Sequence, residues 1–172
     1  MKRLYLMRHA KSDWDAPAND DHERPLTPRG VRAAKLMGRL LAAAGQAPDA
    51  VVASSAVRAR TTVELMAAAG GWTCPVRVTR SLYESGPESA LAEIRKQPDD
   101  AVSLLVAGHE PTWSALVEAL CGGRVRMVTG ALARIDFAVD RWADVEPGGG
   151  WLVWLAPPKL LQAAEPKGTD ER

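Results

Sequence analysis

Two histidines and two arginines occupy positions from which they could act together. Arg8 and His9 close the short apolar run Leu4-Tyr5-Leu6-Met7, Arg58 follows Ala50-Val51-Val52-Ala53 after a short turn, and His109 follows the run Val102 to Ala107. Each run reads as a buried parallel strand, and ligands in open α/β sheets gather beyond the carboxyl ends of such strands. The chemistry this set suits is phosphoryl transfer. A neutral imidazole is a nucleophile near pH 7 and can carry a phosphoryl group covalently. Guanidinium forks match phosphate oxygens and neutralise the charge spread over them in the transition state, while a second imidazole can donate to the same oxygens. Each such donor is worth on the order of 2–4 kcal/mol of barrier. Taken singly, Arg8-His9 is a solvated strand edge, His109 a turn residue between glycine and proline, and Arg58 a cation on an amphipathic helix. Their coincidence at three strand ends carries the argument.

The elements that must position them alternate strand and helix. Asp13 to Pro28 is polar and rich in Asp and Pro, hence a loop. Thr27 caps a helix with Pro28 at its first position; Val31, Ala34, Met37, Leu40 and Leu41 form its apolar stripe, and Gly45 ends it. A helix from Val57 to Ala69 is stopped by Gly70-Gly71, Val76 to Val78 is a third short strand, and Pro87 to Lys96 and Pro111 to Leu120 are further helices. After Arg134 the pattern changes: Ile135 to Val139, a Pro147-Gly148-Gly149-Gly150 turn and Trp151 to Leu155 predict a hairpin added to the sheet edge. The architecture expected is a three-layer α/β sandwich, with a mixed, mostly parallel sheet, helices on both faces and a C-terminal β-hairpin. Residues 1–158 read as a single domain and 159–172 as a frayed tail.

Composition fits this frame. The chain has 172 residues, 47% of them apolar and 25% charged, so a sizeable core is available. With 22 basic against 21 acidic residues, no global field attracts nucleic acid or anionic lipid. No apolar run approaches the roughly 20 residues of a membrane span, and the N-terminus turns polar too early for a signal sequence. These features place the chain in the cytoplasm, away from membranes. Cys74 and Cys121 have neither redox-motif nor zinc-ligand spacing and are expected to be buried free thiols.

Other chemistries fit less well. Cys74-Pro75-Val76-Arg77-Val78-Thr79-Arg80-Ser81 formally matches the C-x5-R loop of cysteine-dependent phosphatases, which needs backbone N–H groups curled round phosphate. Pro75 lacks that N–H, and Val76 and Val78 favour a strand. His9, His22 and His109 show no zinc-binding spacing, and His22 sits in an acidic loop expected to be solvated. Trp151 and Trp154 read as core residues rather than a ligand platform.

Four segments together resemble the histidine phosphatase superfamily, the clan of phosphoglycerate mutases and histidine acid phosphatases. Leu6-Met7-Arg8-His9-Ala10-Lys11-Ser12-Asp13-Trp14 is similar to its R-H-G signature, with Ala10 for glycine. Arg24-Pro25-Leu26-Thr27-Pro28-Arg29-Gly30 is similar to its P-L-T-x-x-G segment, Ser54 to Thr62 to its S-x-x-x-R-A-x-Q-T segment, and Gly108-His109-Glu110-Pro111 to its late G-H motif. The resemblance implies a phosphoglycerate mutase-like fold, His9 as phosphoacceptor, and Arg8, Arg58 and His109 as the phosphate pocket. It also suggests Glu84 as proton donor to the leaving group, against the plainer reading of a solvated loop carboxylate. Ser12 is added as a substrate contact. Asp15 stands where many members carry a phosphate-contacting Asn, and Thr61 replaces the usual Gln.

Only one helix and a turn fit between Glu84 and Val102, where larger members insert a roof, so the site is expected to be open. The short chain is similar to the bacterial phosphohistidine phosphatase branch, which acts on histidine-containing phosphotransfer domains. The expected activity is hydrolysis in two steps through phosphohistidine, releasing inorganic phosphate, without metal or other cofactor. The substrate is a phosphorylated protein or a small phosphate ester. The alternatives are a broad-specificity small-molecule phosphomonoesterase and a non-catalytic phosphoprotein-binding module, the latter disfavoured by retention of both His9 and His109.

Overall fold

The computed structural model describes residues 1–18 and 20–164. Its core is one six-stranded sheet in the order β3-β2-β4-β1-β5-β6. Strands β1 (Lys2–Arg8), β2 (Ala50–Ser54), β3 (Val76–Thr79) and β4 (Ser103–Gly108) run parallel; β5 (Leu132–Phe137) and β6 (Gly150–Ala156) are antiparallel additions beside β1. The expected hairpin is therefore the β5–β6 edge.

Alternation along β1 divides the core. Leu4 and Leu6 point to one face, where they meet Trp113, Leu116 and Ile94 from α3 (Pro87–Arg95) and α4 (Thr112–Cys121). Tyr5 and Met7 point to the other, against Met37, Leu41, Val63 and Met66 from α1 (Pro28–Ala43) and α2 (Val57–Gly70). Both faces of the parallel strands are buried, which is why β4 reads as a continuous apolar run. Thr27 caps α1, its side chain accepting from the Gly30 N–H at 3.0 Å, with Pro28 at the first helical position.

Three expectations need correction. Residues 159–164 are not frayed: α5 (Pro158–Ala164) packs on α1, with Pro158 buried and Leu161 against the second core cluster, where its apolar side chains find a shelf. The remainder of the expected tail, 165–172, lies outside the described residues. Trp151 is 61% exposed near the start of the edge strand β6, whereas Trp154, placed on the same face by the register shift between Arg134 and Ile135, packs against Tyr5 at 6.1 Å between centroids. Cys74 and Cys121 are free but only half-buried; burial pushes the Cys121 thiol up to about 11. No helix among the described residues is long and apolar enough to cross a membrane.

Candidate active site

Register brings the first components together. Arg8 of β1 pairs with Gly108 of β4, and the His9 N–H donates to the Gly108 carbonyl at 3.0 Å. His9 and His109 therefore leave adjacent strands at the same level, their rings 5.2 Å apart between centroids. Gly108 is required here: a Cβ would lie 2.6 Å from the buried Trp113 ring. The Trp113 indole donates to the Met7 carbonyl at 2.8 Å and ties α4 to the end of β1.

The His9 environment fixes its tautomer. Nδ1 lies 2.8 Å from the Ala10 carbonyl, which only accepts, so Nδ1 carries the proton and the Nε2 lone pair is left for another partner. Burial, opposed by that carbonyl bond and reinforced by the charges of His109, Arg58 and Arg8, lowers the His9 pKa to about 3. The ring is thus neutral throughout the physiological range, the form in which it is nucleophilic. Ala10, at the glycine position of the family signature, is fully buried and keeps its own N–H satisfied by Thr62 Oγ1 at 3.0 Å. That hydroxyl donates to the Arg58 carbonyl, so one threonine links the His9 segment to the arginine-bearing turn of α2.

His109 Nε2 sits 2.7 Å from Ser54 Oγ at the end of β2. The Ser54 oxygen also accepts from the Ala56 N–H at 3.4 Å; when its own proton is given to Nε2, His109 Nδ1 is the N–H donor. Burial, together with the Arg58 charge and against that of Asp21, lowers the His109 pKa to about 4. His109 Nδ1, Arg8 Nε and Arg58 Nε are all buried without a partner among the described residues. Such donors cost free energy unless satisfied, and an anion's oxygens are the natural partners.

Arg8 spends Nη1 on the Met127 carbonyl at 2.8 Å. Arg58 is buried, and its fork grips Asp21: Nη1 donates to the main-chain oxygen at 2.7 Å and Nη2 to Oδ2 at 3.0 Å. Asp21 also accepts from Arg24 Nε at 2.8 Å and from the Tyr83 hydroxyl at 3.1 Å. Burial alone would raise its carboxyl; Arg24, Arg58 and Tyr83 outweigh that and hold it below the usual carboxylate range.

This Asp21 cluster escaped sequence reasoning. Arg24 is 7% exposed and donates Nη1 to Ser12 Oγ at 2.6 Å, so the Ser12 hydroxyl, proposed above as a substrate contact, is already engaged in holding Arg24. His22 is not simply solvated: its Nε2 lies 2.9 Å from Ser55 Oγ, and its ring meets Tyr83 edge-on at 4.8 Å. Tyr83 in turn stands edge-on to His109 at 5.8 Å. The turn at Asp21–Glu23 and Tyr83 thus form a small rim beside His109, and His9 is 8% exposed. The signal available was the polar Asp13–Pro28 loop itself, whose length returns the chain across the strand ends.

Glu84 is exposed, adopts φ 53°, and lines one groove of about 310 Å³ with His109, Glu110 and Pro111. A left-handed backbone at a non-glycine residue is strained and is characteristic of functional positions. Asp15 is exposed, with its N–H on Asp13, and none of its recorded contacts reaches His9 or the arginines.

A mixed α/β sheet with two imidazoles at its β1–β4 seam and the guanidiniums of Arg8 and Arg58 close by is a phosphoglycerate mutase-like fold. Residues 4–153 match the histidine phosphatase superfamily (branch 1), and the chain belongs to that family. It is 41% identical over 165 residues to an uncharacterized protein of Mycobacterium tuberculosis, covering 89% of this chain and all of that one. Among solved structures, a proposed phosphohistidine phosphatase SixA from Nakamurella multipartitia is 35% identical with a TM-score of 0.80, over 91% of this chain and 96% of that one. The protein histidine phosphatase SixA complexed with tungstate is 25% identical with a TM-score of 0.79, over 92% and 99%.

Proposed function

We propose that this chain hydrolyses the phosphohistidine of a phosphotransfer protein through a covalent intermediate on His9. The observation that carries the reading is the tautomer of His9. Its Nδ1–H is committed to Ala10, so Nε2 is left as a neutral nucleophile on a ring that feels the charges of Arg58 and Arg8. In the first step Nε2 forms a bond to phosphorus as the phosphorus–nitrogen bond of the substrate breaks, and the departing imidazole keeps or gains a proton. In the second, water attacks the phosphoryl group on Nε2, the phosphorus–nitrogen bond to His9 breaks, and inorganic phosphate leaves as His9 recovers its lone pair. Arg8, Arg58 and His109 Nδ1–H stabilise the charge on the equatorial oxygens in both steps.

An imidazole leaving group needs less acid assistance than an alkoxide. Glu84 is then dispensable for phosphohistidine and important only for esters. Its position on one groove with His109 favours a second reading, a small-molecule phosphomonoesterase with Glu84 as general acid. The likeness to SixA structures supports the phosphoprotein substrate. The test offers wild type and Glu84→Gln a phosphorylated phosphotransfer domain and a panel of small esters, without added metal. The proposal expects kcat/KM highest on the protein, with Glu84→Gln changing that value by less than about threefold while ester hydrolysis falls about 10²-fold. Preference for esters by orders of magnitude would replace the first reading with the second.

A further inference from the structure

Between Arg24 and Pro48 the chain carries five cations and no carboxylate, although its totals are nearly balanced at 22 basic and 21 acidic. Four of them, Arg29, Arg32, Lys35 and Arg39, lie on α1 at spacings of three, three and four residues, which places them on one face of a helix. Apart from Leu36, the large buried residues of α1, Met37 and Leu41, occupy the opposite face with Ala34, so packing does not explain the charges. The four cations line one open groove of about 450 Å³ together with Leu36 and Gln162. Arg29, Arg32 and Lys35 make no ion pair or hydrogen bond with any described residue. Such a run of like charge repels itself, and nearby carboxylates at spacings of three or four would relieve it. None is present on α1.

The face begins beside the catalytic seam. The Thr27 N–H donates to the Lys11 carbonyl at 2.9 Å, so α1 starts against the residue two places past His9. Lys11, Arg29 and Lys159 share a second groove that adjoins the first through Arg29 and Gln162. A cationic track therefore leads from the rim of the site down the outside of α1.

We propose that this track docks an acidic surface of the phosphoprotein substrate and so selects it over small esters. The inference rests on the phosphohistidine reading above. A small ester fits within the seam and reaches none of α1, whereas a folded protein presenting a phosphohistidine to His9 must lay its surface beside the mouth. Complementary charge at the periphery of an encounter acts on association rate and salt dependence more than on chemistry.

The experiment compares wild type with Arg29→Gln/Arg32→Gln/Lys35→Gln on a phosphorylated phosphotransfer domain with an acidic face, and on an aryl phosphate, between low and physiological salt. The expected result is a loss in kcat/KM of about tenfold on the protein, expressed in KM and flattened against salt, with the aryl phosphate unchanged within about twofold. Restoring Lys at the three positions should restore most of the protein activity. Equal loss on both substrates, or no loss on the protein, would overturn the proposal. So would salt-sensitive retention of wild type on RNA or anionic vesicles, lost in the variant, with protein turnover unaffected. Failure of wild type to dephosphorylate any phosphoprotein while still hydrolysing the aryl phosphate would remove the substrate reading and this surface together. Turnover of the phosphoprotein at an unchanged rate by the variant would remove the surface alone.

Discussion

The least expected side chain at the site is a carboxylate. Asp21 stands beside the proposed phosphate pocket, yet it holds the fork of Arg58 through two contacts and receives Arg24 and Tyr83 as well. Two opposing effects meet in it: orientation favours the transition state, while negative charge opposes an incoming phosphate. Replacing Asp21 with Asn should therefore lower kcat by about tenfold, the scale of one charge-assisted hydrogen bond, while KM for an aryl phosphate stays level or falls. A raised KM at constant kcat would assign Asp21 to binding instead. Removal of His9 is a different matter, since nothing else supplies the proposed nucleophile; His9→Ala should lose at least about 10³-fold in kcat. The residues legible in the sequence, Arg8, His9, Arg58 and His109, are those that follow strands or open a helix, where one-dimensional pattern predicts three-dimensional place. Asp21, His22 and Arg24 were not legible because they sit in a loop whose path is set by contacts 12 to 62 residues away, from Arg24 with Ser12 to Asp21 with Tyr83.

At the level of elements, α1 shows how closely the scaffold supports the seam. Gly30, in its first turn, lies so close to the loop after His9 that a Cβ would overlap the Lys11 carbonyl. An exposed helical Gly→Ala change gains up to about 1 kcal/mol. Here the sign reverses: Gly30→Ala should cost about 1–3 kcal/mol by overpacking, read as a lower urea midpoint, and should depress turnover as the His9–Lys11 segment shifts. A stabilised variant with full activity would show that α1 and the loop move apart freely. Helices α1 to α4 and the parallel strands could be anticipated because caps, periodicity and apolar runs agree there. The docking of α5 could not: its seven residues are too few to show a helical stripe, and its partner shelf on α1 exists only after the fold forms. Trp151 was misplaced for a related reason, because the pattern of an edge strand does not reveal how far along it the covering side chains extend.

For the whole molecule, the site is a stability liability in acid. His9 and His109 titrate near 3 and 4 when folded, against an ordinary value near 6.5 when unfolded. The unfolded chain therefore binds more protons below pH 6.5, and stability is lost as pH falls from about 6.5 toward 3. Urea midpoints should drop between pH 7 and 4.5, and His9→Asn should blunt that drop; an identical slope in the variant would show that other groups set it. The same depressed values mean that kcat/KM should not fall through pH 6.5, as it would for an ordinary imidazole nucleophile. All of this converges on one bond. The decisive measurement is rapid acid-free quenching of turnover followed by mass spectrometry and phosphorus NMR of the enzyme. The account predicts a transient, acid-labile phosphoryl group on Nε2 of His9, absent from His9→Ala. Turnover with no phosphoenzyme, or with the label on another residue, would contradict it.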